Sequence, residues 1–383
     1  MPKFLCPYCF NPPYNIKRIH FACPNPSCDV DIVSRKLFGG VPTCPNPVCK
    51  KAATTRKCPR CAAEIAPDIL TTPHLPFSIV GVPASGKTVY ITTLIQEMKR
   101  TRGLPFSLMH LNDQTKDHQL ANAQALYDLK SAVESTAGSL PFPQVWKIQN
   151  IARRGQGECP PYTFTIFDGA GEDYKERLNK DNDISRYIGL SESIILVLDP
   201  LTLRAVRDRD IVNEEDMRNS GATNTFEYES QIFDDATQIL DDMTIYIRQT
   251  KPKYATGRLP ITLAVVVTKF DTIKDHETFP ENALVRQPSE VLHFTGASGE
   301  RLRYGIVNME EIEETHRNIA DWLDDIDESS ILRTLEANYD RFKLFGVSSY
   351  GSPPPEFGKP PRIESHRVLD PFLWLLKEAD FID

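Results

Sequence analysis

Eight residues constrain this chain more than any others: Gly81-Val82-Pro83-Ala84-Ser85-Gly86-Lys87-Thr88, a complete G-x-x-x-x-G-K-[ST] loop. The apolar run Leu75–Val80 before it predicts a strand, and Val89–Lys99 after it carries the apolar spacing of a helix. A glycine-rich loop between strand and helix turns successive backbone N–H groups inward, and the helix N-terminus adds partial positive charge. In that context the loop is a phosphate cradle rather than a chance pattern. Gly81, Ala84, Ser85, Gly86, Lys87, Thr88 and Val89 are the expected nucleotide contacts. Lys87 is expected at the β and γ oxygens, and Thr88 on Mg²⁺.

The chain has 383 residues, enough for one large domain and a small one. No apolar run approaches the roughly 20 residues needed to cross a bilayer. The N-terminus opens on Pro2 and an early Cys6-Pro7-Tyr8-Cys9 instead of an apolar secretory segment, which predicts a cytoplasmic protein. The net charge of −8 is unevenly spread: residues 1–72 hold ten Lys and Arg against four Asp and Glu, so the head is +6 and the remainder −14. An acidic main domain argues against broad nucleic-acid binding.

Eight of the nine cysteines lie in residues 1–61, as the pairs Cys6/Cys9, Cys23/Cys28, Cys44/Cys49 and Cys58/Cys61. Each pair has proline after its first cysteine. Turns of this kind bring two thiolates onto one tetrahedral ion, and two turns complete a Cys₄ zinc site. Eight cysteines therefore predict two zinc ions, which would staple a segment with few large apolar residues. A disulfide framework suits an oxidising compartment, and iron–sulfur ligation favours more clustered spacing. Sequential pairing is expected, with Cys6, Cys9, Cys23 and Cys28 on one ion and Cys44, Cys49, Cys58 and Cys61 on the other. Interleaved pairing would instead give a cross-braced unit. His20 then has no vacancy to fill. Two thiolate-saturated sites carry about −2 each, which leaves the head only slightly basic. Protein docking is the expected role of the head, with nucleic acid a lesser alternative through Lys50, Lys51, Arg56, Lys57 and Arg60.

Further strand-like runs each end in a polar signature. Tyr162–Phe167 leads into Asp168-Gly169-Ala170-Gly171-Glu172, where Asp168 is expected to hold Mg²⁺ and Gly171 to donate its N–H to a γ-phosphate. Ile194–Leu198 is wholly apolar and ends at Asp199. Ile261–Val267 ends in Thr268-Lys269-Phe270-Asp271; the Asp271 carboxylate can accept two hydrogen bonds from guanine N1 and N2, a donor pair that adenine lacks. Lys269 is expected along the base and ribose. Phe342–Val347 ends in Ser348-Ser349-Tyr350-Gly351, whose backbone can reach the base oxygen.

The four signatures, in this order and each after a strand, resemble the translation-factor-related (TRAFAC) P-loop GTPases. The D-G-A-G-E form and the closing run Arg367–Leu376 resemble the bacterial double-GTPase (DO-GTPase) family. The resemblance implies an α/β fold of the P-loop NTPase, Ras-like kind, a mostly parallel sheet flanked by helices, over residues 75–383. It also implies GTP hydrolysis, protein partners including a second GTPase-like protein, and a place in bacterial conflict and antiviral defence systems. A double zinc ribbon over 1–70 precedes this domain, and insertions are expected around 103–142 and 201–258.

The switch parts match less closely. Pro143–Asn150 is expected to form the second strand, antiparallel to 162–167. Thr136 is the expected switch threonine, with Thr115 as the alternative. Glu172 stands where the wider class most often has glutamine or histidine. A carboxylate there can orient water or act as base, but beside an anionic γ-phosphate it predicts slow hydrolysis unless a partner supplies an arginine. Lys87, Glu172 and Thr136 are thus the expected catalytic group. Two other readings stay open: a zinc-ribbon scaffold whose nucleotide is structural, and a P-loop protein that uses ATP.

Overall fold

The computed structural model describes residues 3–11, 13–25, 27–28, 30–32, 40–81, 85–129, 143–155, 159–168, 183–203, 206, 236–276, 278–296, 298–352 and 363–383. Residues Ala84, Thr136, Gly171 and Glu172 lie outside them.

The head holds short strands only: β1 (Lys3–Phe4), β2 (Tyr14–Asn15), β3 (His20–Ala22), β4 (Asp31–Ile32) and β5 (Thr55–Lys57). β1 and β2 form a hairpin, and β3 pairs antiparallel with both β4 and β5. Pro67 opens a short helix, α1 (Pro67–Thr71), where its missing N–H costs nothing.

The main domain follows as β6 (His74–Gly81), α2 (Lys87–Arg100), β7 (Ser107–His110), α3 (Asp113–Ala123), β8 (Gln144–Gln149), β9 (Tyr162–Asp168), α4 (Asp183–Leu190) and β10 (Ser193–Leu198). It continues through α5 (Ala236–Thr250), β11 (Leu259–Val267), β12 (Leu292–Thr295), β13 (Arg301–Val307), α6 (Met309–Asp325), α7 (Ser329–Asn338), β14 (Tyr339–Gly346) and α8 (Asp370–Glu378). Seven strands make one sheet in the order β14-β11-β10-β6-β9-β8-β7. The first five are mutually parallel, while β8 and β7 run antiparallel at one edge. The mostly parallel α/β architecture is therefore present, and β8 pairs with β9 antiparallel as its sequence predicts.

Continuous apolar runs form the inner strands because both faces of the sheet are covered. Along β10, Ile194, Leu196 and Leu198 enter one core with α4, α5, α6 and α7, whereas Ile195 and Val197 enter the other with α2 and α8. β11 divides the same way: Leu263, Val265 and Val267 face the first core, and Ala264 and Val266 the second. The signatures that begin at 81, 168, 268 and 348 thereby come out at one end of the sheet, the carboxyl ends of its parallel strands. Ligands of open α/β sheets bind there. Among the described residues no helix is long and apolar enough to cross a membrane.

Candidate functional site

Gly81 ends β6, the middle strand of the sheet. A Cβ there would lie 2.5 Å from the Val197 carbonyl of β10, so only glycine permits this approach. Gly86 caps α2 with φ of +82°, a left-handed conformation that glycine adopts without strain, and its carbonyl accepts the Tyr90 N–H at 2.8 Å. Lys87 is buried, and its Nζ donates to the Gly81 carbonyl at 3.0 Å across the loop. Thr88 and Val89 are half-buried in the first turn of α2, where backbone N–H groups have no intrahelical carbonyl to bond.

The second wall comes from the ends of β10, β11 and β14. Thr268 is buried, and its hydroxyl is shared between the Ser85 carbonyl at 2.8 Å and the Leu198 carbonyl at 3.1 Å. One side chain thus joins the T-K-x-D turn to the phosphate loop. Lys269 sits in the left-handed region at φ +50°, with Nζ 2.7 Å from Oδ2 of Asp199. Asp199 is fully buried at the end of β10, and its other oxygen accepts the Leu201 N–H at 3.0 Å. Asp271 is hydrogen-bonded to Ser348; burial raises its carboxyl above the ordinary value, while that hydrogen bond lowers it. Ser348 is itself buried. It exchanges backbone hydrogen bonds with His366, and its Oγ accepts the Gly351 N–H at 2.7 Å. A cavity of about 520 Å³ opens against Asp271 and Ser348 and reaches Lys274, Arg102 and Phe294. Ser349 is half-buried beside it.

On the other side of β6, β9 pairs in parallel with Ile79 opposite Asp168. The backbone of Asp168 thus stands two residues from the start of the phosphate loop. Thr115, the alternative switch threonine, is wholly buried, and its hydroxyl accepts the Val145 N–H of β8 at 3.0 Å. That bond commits it to holding α3 against the sheet.

In the head, the expected pairing of the cysteines is corrected. Cys6, Cys9, Cys58 and Cys61 come together, as do Cys23, Cys28, Cys44 and Cys49, with all four sulfurs of each set within 4.8 Å of one another. Two tetrads form, but nested rather than sequential. The reason lies in the β3–β5 register, which sets His20 opposite Lys57 and Ala22 opposite Thr55. Cys58 follows Lys57 and leaves the sheet beside the β1–β2 hairpin. Cys23 follows Ala22 and leaves at the opposite end, beside the loop of Cys44 and Cys49. Sulfur separations of 3.8 Å (Cys6–Cys61), 4.0 Å (Cys9–Cys58), 3.5 Å (Cys23–Cys49) and 3.5 Å (Cys28–Cys44) bracket the roughly 3.8 Å that tetrahedral bonds of about 2.3 Å require. The donor set and spacing therefore fit zinc. Hydrogen bonds from Cys6, Cys61 and Cys9 hold the Cys58 thiol far below the usual range, and the Tyr14 hydroxyl donates to the same sulfur at 3.3 Å. His20 lies in β3 outside both tetrads.

Sequence reasoning passes over Asp199. Its one signal is position: it ends an apolar strand next to the strand that ends at Thr268.

The family model described as Double-GTPase 1 matches residues 78–309. Among solved structures the chain is similar to the Arl6 BBS3 small GTPase from Trypanosoma brucei with bound GppNp. That match has 11% identity and a TM-score of 0.28, over 80% of this chain and 97% of that one. It is also similar to sup35 complexed with GDP, at 11% identity and a TM-score of 0.26, over 73% of this chain and 38% of that one. No curated protein matches the chain.

Proposed function

The chain belongs to the Double-GTPase 1 family, and on that premise we propose that it is a GTP-binding switch protein that slowly hydrolyses GTP to GDP and phosphate. One observation carries the reading: the 2.8 Å hydrogen bond from Thr268 Oγ1 to the Ser85 carbonyl. It makes the phosphate loop and the base-reading turn a single wall, so that one ligand carrying both phosphates and a base fits the site.

The loop amides from Ala84 to Val89 and the Lys87 ammonium hold the phosphates and stabilise charge as it moves onto the leaving oxygen. Asp271 accepts from guanine N1 and N2, Lys269 lies along the base, and the Ser348–Ser349 backbone meets the base oxygen. Gly171 donates its N–H to the γ-phosphate, Thr136 would serve as a ligand to Mg²⁺, and Glu172 orients the water. Thr88 and Asp168 supply the oxygen donors that suit Mg²⁺, which when bound neutralises phosphate charge. The carboxylate of Glu172 beside that charge keeps turnover slow until a protein partner contributes an arginine. A second GTPase-like protein in a bacterial defence system is the proposed partner. Two zinc ions in the tetrads supply structural cross-links, and eight ligand thiols require the reducing setting of the cytoplasm.

Calorimetry in Mg²⁺ with GDP, a GTP analogue, ADP and an ATP analogue tests the base assignment. Guanine nucleotides should bind about 100-fold more tightly than adenine ones, and equal affinities would reject it. A phosphate-release assay with and without partner tests the slow turnover; no release in either condition would leave binding without catalysis. Elemental analysis should find about two zinc ions per chain.

A further inference from the structure

Phe10 is placed by one tetrad and packed by the other domain. It follows Cys9 directly, its N–H donates to the Cys6 carbonyl at 3.1 Å, and it sits at φ +46°. A residue with a Cβ adopts that conformation only where its surroundings impose it. Its ring takes no part in the head's own core of Phe4, Tyr14, Ile19, Ile65 and Ile69. It is instead buried in the main core, 4.5 Å from the Tyr187 ring and edge-on to Phe167 at 6.2 Å.

These two rings belong to the frame of the nucleotide site. Phe167 immediately precedes Asp168 in β9. Tyr187, on α4, shares its one hydroxyl proton between the Phe77 carbonyl of β6 and, at 2.5 Å, the Thr165 carbonyl of β9. It therefore staples the strand that ends in the phosphate loop to the strand that ends at Asp168. Phe10 covers that staple. Direct contacts run from Cys9 through Phe10 to Tyr187 and Phe167, and so to the two strands that end at Gly81 and at Asp168.

We propose that Phe10 is a positioning residue of the nucleotide site, through which metal retention in the outer tetrad (Cys6, Cys9, Cys58, Cys61) and nucleotide binding are linked. The proposal rests on the GTP-binding reading above. With the tetrad closed, the Cys6–Cys9 turn holds the ring against Phe167 of β9 and Tyr187 of α4; with it open, the ring is released and the strands that Tyr187 joins lose a brace. Linkage is reciprocal in affinity, so a nucleotide that orders the two strand ends also tightens this tetrad's hold on its metal, and slower loss to a chelator reports it. Among the described residues, the inner tetrad of Cys23, Cys28, Cys44 and Cys49 clusters with Val30 and makes no such contact with the main core.

The test uses the full chain loaded with zinc, mixed with excess chelator and a colorimetric zinc indicator, nucleotide-free and with saturating GDP or a non-hydrolysable GTP analogue. One of the two zinc equivalents should leave about fivefold or more slowly when nucleotide is bound, and the other at an unchanged rate. In Phe10→Ala the nucleotide dependence should vanish while calorimetry still detects GDP binding. Equal slowing of both equivalents, no slowing of either, or full dependence in Phe10→Ala would each overturn the linkage. Should Phe10→Ala fail to fold, Phe10→Leu keeps the apolar bulk without the ring contacts; it should lose most of the dependence, and its full retention overturns the proposal. Absence of any GDP binding in the parent chain would overturn the GTP reading itself, and calorimetry on the same sample separates that failure from failure of the linkage.

Discussion

Replacing Thr268 with valine keeps the side-chain shape and removes one hydroxyl. That hydroxyl divides its proton between the carbonyls of Ser85, at 2.8 Å, and Leu198, at 3.1 Å. Leu198 keeps a partner, because the Thr268 N–H also donates to it at 2.9 Å. The Ser85 carbonyl loses this donor, and Ser85 itself is wholly buried. Removing the donor of one buried hydrogen bond costs about 1 kcal/mol, and up to about 3. If the loop relaxes to rehydrate that carbonyl, its amides turn away from the phosphates, and the cost appears in binding. About 1–2 kcal/mol corresponds to GDP and GTP affinities weakened by roughly 5- to 30-fold. Both nucleotides should weaken alike, because the bond supports the loop rather than the γ-phosphate. The preference for guanine should survive, since Asp271 is untouched. Calorimetry with GDP, a GTP analogue and ADP, beside a urea melt, measures all three quantities. Affinity unchanged within about twofold in a folded variant, or a loss confined to GTP, would refute the view of loop and base reader as one wall.

Asp271→Asn should weaken guanine nucleotides by about 100-fold or more and shift preference to xanthine nucleotides; unchanged guanine preference in a competition assay would reject the base-reader role. His74 is held neutral between the hydroxyls of Thr163 and Thr165, and burial lowers its pKa from 6.5 to about 4. The folded state thus binds the proton less readily than the unfolded chain. The resulting stability is full above pH 6.5 and is lost as pH falls towards 4, by at most about 3 kcal/mol; urea melts of His74→Gln should show a flatter profile over that window than the parent. Arg367 is buried with Glu311 at 2.7 Å and Asp370 at 2.9 Å, so Arg367→Met strands two buried carboxylates. A loss of about 3–5 kcal/mol in a denaturant melt is expected, and a loss below about 1 kcal/mol would mean the carboxylates find water.

What could be read from the chain follows from where the information is stored. The strands that end at Gly81, Asp168, Leu198 and Val267 are legible because each is buried on both faces and spells a local apolar run. The edge strand β7, Ser-Leu-Met-His, has no such run, and β12 is short and mostly exposed, so neither announces itself. Tetrad membership is illegible for another reason. It depends on the register of His-Phe-Ala against Thr-Arg-Lys, two three-residue strands with no periodicity to read. The Asp199–Lys269 pair joins residues 70 apart in sequence, and only the adjacency of β10 and β11 brings them together.

The nested pairing also changes what the head is. Sequential tetrads would make two beads on a string, each complete in itself. Nested tetrads bring Cys58 and Cys61 back to the first hairpin, and the chain leaving that tetrad runs straight into Ile65, α1 and the sheet. Ile65 and Ile69 pack in one cluster with Cys6, Cys58 and Val145 of β8. Lys147 of β8 is 2.6 Å from Asp68, and Asn112 donates to the Tyr8 hydroxyl at 2.9 Å. The outer tetrad is therefore anchored on β8 on one side and through Phe10 on β9 and α4 on the other. Loop-closure entropy points the same way: Cys28 and Cys44 lie 16 residues apart whereas Cys6 and Cys61 lie 55 apart, so closing the inner tetrad first shortens the loop that the outer one must close. The outer tetrad then closes last, where its geometry and the packing of the phosphate-loop strand meet in the same few side chains.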